Sequence, residues 1–217
     1  MLDARIRPLI DGPLDWAGRR MAKAGISADV VTLAGSAIGL LAALSIAFGA
    51  FGLALALIAL NRICDGLDGA VARATAKTDR GAFLDITLDF VVYAAVPLAF
   101  AWVDPAQNAL PAAFLLAGFL VNGTAFLAFA VLAEKRALTT AAQGQKSLYY
   151  LAGLAEGTET IAFFVLVCLW PHLFVWLSCL FTLLCVVSAA ARLFLGWRLL
   201  PIEPSSCTNE HRSSKIE

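Results

Sequence analysis

Charge is scarce in this chain. Only 15% of its 217 residues are Asp, Glu, Lys or Arg, against about 25% in a typical soluble domain. The 16 basic and 16 acidic residues cancel, which excludes a basic nucleic-acid binder. Histidine is almost missing, with His172 and His211 the two examples. Cys64, Cys168, Cys179, Cys185 and Cys207 form no C-x-x-C pair, so neither a zinc site nor a disulfide framework is expected. Most of these cysteines read as small buried hydrophobes. What fills the chain instead is apolar: 60% hydrophobic residues and a mean hydropathy of +0.81. A soluble globule of this size has nowhere to hide so much apolar surface, so the bilayer must form part of its solvent.

A helix needs about 20 apolar residues to cross the hydrocarbon. Six stretches qualify, at about 29–48, 52–74, 79–102, 109–133, 148–170 and 172–198. The second and third carry several charges and score below the rest in hydropathy. The expected fold is all-α: an integral membrane bundle of six transmembrane helices with an N-terminal amphipathic surface helix. Residues 1–24 form the amphipathic juxtamembrane segment, 25–200 the transmembrane domain, and 201–217 a polar, Ser-rich tail expected to be disordered.

In the N-terminal segment Ile6, Ile10, Leu14, Ala17 and Met21 share one helical face, and Arg7, Arg19, Arg20 and Lys23 lie off it. This pattern predicts a helix on the membrane surface, interrupted at Pro8 and at Gly12-Pro13. An unstructured basic leader is the other reading. A signal peptide is not expected, because basic residues continue to Lys23 and no A-x-A site follows a short apolar region.

Lysine and arginine set the orientation. They cluster near the N-terminus, at residues 62–80, at 135–146 and from 192 onward, whereas the loops near Gly49–Phe51, Asp104–Asn108 and Pro171–His172 hold none. The positive-inside rule makes the basic side cytoplasmic and places both termini there. The expected location is a bacterial inner membrane with a cytoplasmic active site. Trp16, Trp102, Trp170 and Trp197 fall near the expected interfaces, as does the Tyr149-Tyr150 pair.

Ionisable residues at membrane depth are costly and usually functional. Here Asp65 and Asp68 are three apart, and Asp85 and Asp89 four apart, so each pair shares a helix face. A helical hairpin turning around residues 74–80 brings the pairs together near the cytoplasmic surface. Four carboxylates so close repel strongly unless cations join them. Hard oxygen donors suit Mg²⁺, Mn²⁺ or Ca²⁺, and two such ions balance four negative charges. Two metals also clamp the attacking and leaving oxygens of a phosphoryl displacement. Gly66, Gly69 and Gly81 point to a close approach by a ligand or a neighbouring backbone. Arg73 supplies a fixed cation for phosphate. A proton relay or cation transporter using the same carboxylates is the competing reading, and a catalytically silent membrane scaffold is a third. Asp29 and Asp104, single acids at helix ends, read as merely solvated.

Residues 65–89 read D-x-x-D-G-x-x-A-R-x(7)-G-x-x-x-D-x-x-x-D. This resembles the signature of the CDP-alcohol phosphotransferase family of integral membrane enzymes. The six-span topology and the preceding surface helix are also similar to that family. The resemblance implies that Asp65, Asp68, Asp85 and Asp89 bind two divalent cations, Mg²⁺ or Mn²⁺, and that Asp89 acts as general base toward the acceptor hydroxyl. It implies that Gly69, Ala72 and Arg73 contact the CDP donor. The implied reaction transfers a substituted phosphate from a CDP-linked donor, such as CDP-diacylglycerol, to a small alcohol with release of CMP, in phospholipid biosynthesis. Membrane lipids are implied partners, nucleic acid is not, and a homodimer is compatible with the family.

The acceptor is less legible. Lys135, Arg136, Lys146 and Arg192 would serve an anionic acceptor such as glycerol 3-phosphate. Glu156 and Glu159, three apart in the fifth expected span, would meet the amine of a small amino-alcohol or zwitterion, or would pair with Arg192. The run Asp89–Pro97 is similar to a segment of phosphatidylserine and phosphatidylcholine synthases, which leans the expectation toward an amino-alcohol acceptor. Asn122-Gly123-Thr124 matches a glycosylation sequon, but its mid-membrane position favours hydrogen bonding between helices.

Overall fold

A run of apolar residues with no water to hydrogen-bond its backbone must satisfy its amides internally, so helices are the expected outcome. The structure, a computed structural model, describes residues 3–135 and 155–199, and every regular element among them is helical. These are α1 (Asp3–Lys23), α2 (Ala28–Ala47), α3 (Phe51–Ala74), α4 (Asp79–Val103), α5 (Pro105–Lys135), α6 (Gly157–Leu169) and α7 (Phe174–Leu199). A 3-10 turn, Pro171–Leu173, precedes α7. The expected tail at 201–217, Arg136, Lys146, and Tyr149-Tyr150 lie outside the described residues.

Turn chemistry explains the boundaries. Gly25 and Gly49 adopt φ of 80° and 73°, the left-handed region that ends a helix at low cost only for glycine. At Gly49 the closure is complete: Gly49 N–H donates to Ile46 O and Ala50 N–H to Ser45 O, both at 2.8 Å. Ser27 caps α2 by accepting from Val30 N, and Thr78 caps α4 by accepting from Gly81 N at 3.0 Å.

Among the described residues, four stretches are long and apolar enough to cross a membrane: Ala28–Ala47, Asp79–Val103, Pro105–Leu132 and Pro171–Leu199. Asp79–Val103 thus qualifies despite its aspartates. The polar stretch around Arg62, Asp65, Asp68 and Arg73 sits in α3, which does not qualify. Large apolar side chains point outward along the helices, Leu120 at 69% exposure, Leu193 at 66% and Trp176 at 75%. Water would penalise such a surface, and lipid would not.

Two expectations need correction. Helix α1 runs unbroken from Asp3 to Lys23, past Pro8 and Gly12-Pro13. Each proline removes one backbone hydrogen bond, a loss that bends a helix without ending it when the turns on both sides persist. Glu156 and Glu159 do not share a helix face, because Glu156 stands in extended conformation (φ −108°, ψ −173°) one residue before α6 begins.

The helices pack so that α2 lies against both α3 and α4, α1 against α3, and α5 against α4 and α7. Small residues allow the close approaches. A Cβ on Gly39 of α2 would meet Val92 of α4 at 2.7 Å, and one on Gly35 would meet Cys64 of α3 at 2.9 Å. The core holds two groups of aromatic rings. Phe51, Phe100 and Phe174 form one, with the Phe100 and Phe174 centroids 4.4 Å apart, and Phe119, Phe163, Phe164 and Phe181 form the other with Tyr93. Tyr93 is the polar member of the second group, and Asp89 lies one helical turn before it on α4.

Candidate active site

Residues 75–78 join α3 to α4, so the two helices return their acidic faces to each other. Asp65, Asp85 and Asp89 each offer a carboxylate oxygen, and the three oxygens lie within 4.8 Å of one another. Asp68 is turned aside: it is 8% exposed, and Thr32 of α2 donates to its Oδ2 at 2.7 Å. All four aspartates line a cavity of about 10 Å³, room for one water-sized occupant. The hairpin expectation is therefore met, with Asp68 held slightly apart by Thr32.

A donor set of carboxylates around an ion-sized space fits a hard divalent cation. The aspartates are joined by a side chain that sequence reasoning passed over. Arg62 donates from Nη1 to Asp65 at 3.3 Å and from Nη2 to Asp89 at 3.0 Å. Its Nε and Nη2 also reach Asn61 Oδ1, both at 3.1 Å, and Asn61 Nδ2 donates to Gly35 O at 2.9 Å. The backbone of α2 thus fixes Asn61, which fixes Arg62, which fixes a carboxylate on each of α3 and α4. Below, Tyr93 donates its hydroxyl to Asp89 Oδ2 at 3.2 Å. An arginine three residues before an aspartate on a helix is the signal that was available, since that spacing places the two side by side.

Beside this cluster opens a cavity of about 890 Å³, within the range that encloses a nucleotide-sized ligand. Gly69, Ala72 and Arg73 line it, together with Asp68 and Asp85, so the residues expected to meet the donor share a wall with two of the aspartates. Lys77 and Arg80 add positive charge. Asp29 also lines this cavity and takes hydrogen bonds from Arg80 Nε, at 2.8 Å, and Nη2. The expectation that Asp29 is merely solvated therefore fails, because its side chain is 15% exposed and paired. Asp104 caps α5, accepting from Gln107 N at 3.1 Å.

The glycines divide by role. A Cβ on Gly69 would lie 3.4 Å from Arg73 Nη1, at the cavity wall, whereas one on Gly66 would strike Leu14 of α1 at 2.8 Å. Gly66 thus admits a neighbouring helix rather than a ligand.

A second polar cluster is buried between α5 and α7. Arg192, 6% exposed, donates to Asn122 Oδ1 at 2.6 Å and pairs with Glu156 at 3.5 Å, while Asn122 Nδ2 donates to Ala155 O at 2.8 Å. Asn122 makes the interhelical bonds expected of it, and Glu156 takes the pairing alternative. Glu159 lies in the first turn of α6. Lys135 ends α5, and its side chain is outside the described set.

With this geometry in place, comparison with known proteins identifies the class. The chain belongs to the CDP-alcohol phosphatidyltransferase family, whose sequence model matches residues 26–195. Transferase chemistry, phospholipid biosynthesis and divalent-metal binding are typical of that family. The chain is 47% identical over 200 residues to Inner membrane protein YnjF of Escherichia coli (strain K12), a match spanning 92% of this chain and 97% of that protein. It is 39% identical over 87 residues to an archaetidylinositol phosphate synthase of Pyrococcus horikoshii, covering 40% of this chain and 46% of that one. In fold it is similar to the phosphatidylinositol phosphate synthase PgsA1 of Mycobacterium tuberculosis, solved with CDP-DAG bound. That likeness has a TM-score of 0.66 and 20% identity, over 88% of this chain and 97% of that one. The apolar helices and the name of the E. coli relative together support an integral inner-membrane protein.

Proposed function

We propose that this chain transfers a phosphatidyl group from CDP-diacylglycerol to a small alcohol and releases CMP. The observation that carries the reading is the shared wall: Asp68 and Asp85 line both the ion-sized space and the large cavity bounded by Gly69, Ala72 and Arg73. A cation transporter needs the carboxylates but not a nucleotide-sized chamber beside them. The donor identity draws support from the structural neighbour's bound CDP-DAG.

Asp65, Asp68, Asp85 and Asp89 would hold two divalent cations, Mg²⁺ or Mn²⁺, whose charge would offset that of the donor pyrophosphate and the leaving CMP. Gly69 and Ala72 leave room for the nucleotide, and Arg73 binds phosphate oxygens through a planar fork. Asp89 orients the acceptor hydroxyl and accepts its proton as the oxygen attacks phosphorus. The new P–O bond forms to the acceptor, the P–O bond to CMP breaks, and CMP leaves with the electron pair. A carboxylate near metal is a weak base, so Asp89 contributes more by positioning than by proton capture. Arg62 and Tyr93 hold it in place.

In this reading residues 25–200 form a domain crossing the membrane six times, α1 lies amphipathic on the cytoplasmic surface, and residues 201–217 are a polar tail outside that domain. Both termini and the site face the cytoplasm of a bacterial cell, and the donor's acyl chains lie laterally in the bilayer.

Two observations bear on the acceptor. Glu156 is 49% exposed at its side chain and would take the amine of an amino-alcohol or zwitterion, but Arg192 already neutralises it. The archaeal relative is named for a phosphorylated inositol product, which ranks a phosphorylated polyol such as inositol phosphate or glycerol 3-phosphate first. Purified protein with CDP-diacylglycerol, Mg²⁺ or Mn²⁺ and a panel of alcohols, with lipid products identified by mass, tests both levels. One new phospholipid whose headgroup matches an added alcohol supports the reading, and no phospholipid with any acceptor overturns it.

A further inference from the structure

Helix α1 reads from the sequence as an amphipathic helix on the membrane surface, yet it forms part of the large cavity, which Ala22 helps to line. Two close contacts fix its position on α3. A Cβ on Gly18 would come within 2.6 Å of Ala70 Cβ, and Leu14 fills the space over Gly66. Asp15 lies between Leu14 and Gly18 on this docked stretch. Arg73 donates to a single oxygen of Asp15, from Nε at 3.2 Å and from Nη2 at 2.7 Å. That uses one edge of the guanidinium. The other terminal nitrogen, Nη1, lies over Gly69 on the cavity wall.

Resting on the proposed donor reading, we infer that Asp15 is a positioning residue: from α1 it clamps one edge of Arg73 so that the opposite edge faces the pyrophosphate of a CDP-linked donor. An arginine side chain otherwise samples many rotamers, and fixing it beforehand lowers the entropy lost when phosphate binds. The pair is half-exposed, with side-chain exposures of 42% for Arg73 and 36% for Asp15, so it adds little to stability. Its effect falls on donor binding. The same clamp makes the docking of α1 a condition for a well-formed donor site.

The test is a double-mutant cycle on CMP release, with CDP-diacylglycerol as the varied substrate. Asp15→Asn keeps the shape and removes the charge. It is expected to raise the donor KM about tenfold, with kcat and the acceptor KM changed less than twofold. In an Arg73→Lys background, where the fork is already gone, adding Asp15→Asn is expected to change the donor KM less than twofold. Calorimetric titration with CDP reads the same effect on binding without turnover, so it remains informative if a variant is catalytically poor. An equal KM rise in both backgrounds overturns the inference, because Asp15 would then act other than through Arg73. A lowered donor KM in Asp15→Asn also overturns it, showing Asp15 to compete with phosphate for Arg73. A wild type that binds CDP but releases no CMP defeats the transferase reading instead, and leaves the clamp to be judged by calorimetry.

Discussion

Arg62 of α3 donates to Asp89 of α4 across 3.0 Å, and the same guanidinium reaches Asp65 at 3.3 Å. One cation therefore ties together the helices that carry the acidic pairs. The cluster is arranged by the protein itself, through Asn61, Arg62 and Tyr93.

Arg62→Met keeps the length of the side chain and removes the charge. Asp65 and Asp89 then face each other without the Arg62 guanidinium between them, so the variant in chelator is expected to lose about 1–3 kcal/mol of stability. Anything that binds the folded state preferentially restores stability, and Mg²⁺ should raise the unfolding temperature more in the variant than in the wild type. Thermal unfolding in detergent with and without Mg²⁺ checks this. Equal Mg²⁺-induced shifts in the two proteins would contradict it.

Tyr93→Phe removes one hydrogen bond to Asp89 and keeps the ring against Phe119 and Phe164. A net loss of about 1 kcal/mol corresponds to a kcat lowered about fivefold, with the donor KM unchanged. Steady-state CMP release separates the two constants. A raised donor KM with unchanged kcat would place Tyr93 outside the positioning of Asp89.

Asn122→Leu strips Arg192 Nη1 of its acceptor and the Ala155 carbonyl of its amide donor in a buried setting, leaving Arg192 only its pair with Glu156 among the partners described. Leaving such groups unsatisfied costs about 1–3 kcal/mol, so the unfolding temperature in detergent should fall clearly. If the midpoint stays within error of the wild type, the buried cluster is not a structural tie between α5 and α7.

The sequence made the acidic pairs legible because their spacing has one meaning on a helix and because carboxylates stand out at membrane depth. Asp29 and Asp15 were not legible as site residues. Each is ordinary in its own neighbourhood, and its significance comes from Arg80 and Arg73, which lie 51 and 58 residues away. Arg62 was within reach, since its partner Asp65 is only three residues on, but its second partner Asp89 depends on how α4 returns. The four stretches apolar enough to cross a membrane were readable from the apolar runs. The course of α1 was not, because Pro8 and Pro13 argue locally for a break while Gly18 and Leu14 argue, through α3, for one continuous docked helix. Glu156 and Glu159 misled for a related reason: an i, i+3 pair means a shared face only if both residues are inside the helix.

The most direct measurement is CMP release from CDP-diacylglycerol by the purified wild-type protein, in chelator and then with Mg²⁺ or Mn²⁺ restored, beside Asp89→Asn. The expected result is no release in chelator, turnover on adding the cation with a suitable alcohol, and a rate at least about 100-fold lower in Asp89→Asn at normal expression. Release at the wild-type rate in chelator, or undiminished release by Asp89→Asn, would contradict the role assigned to the aspartate cluster.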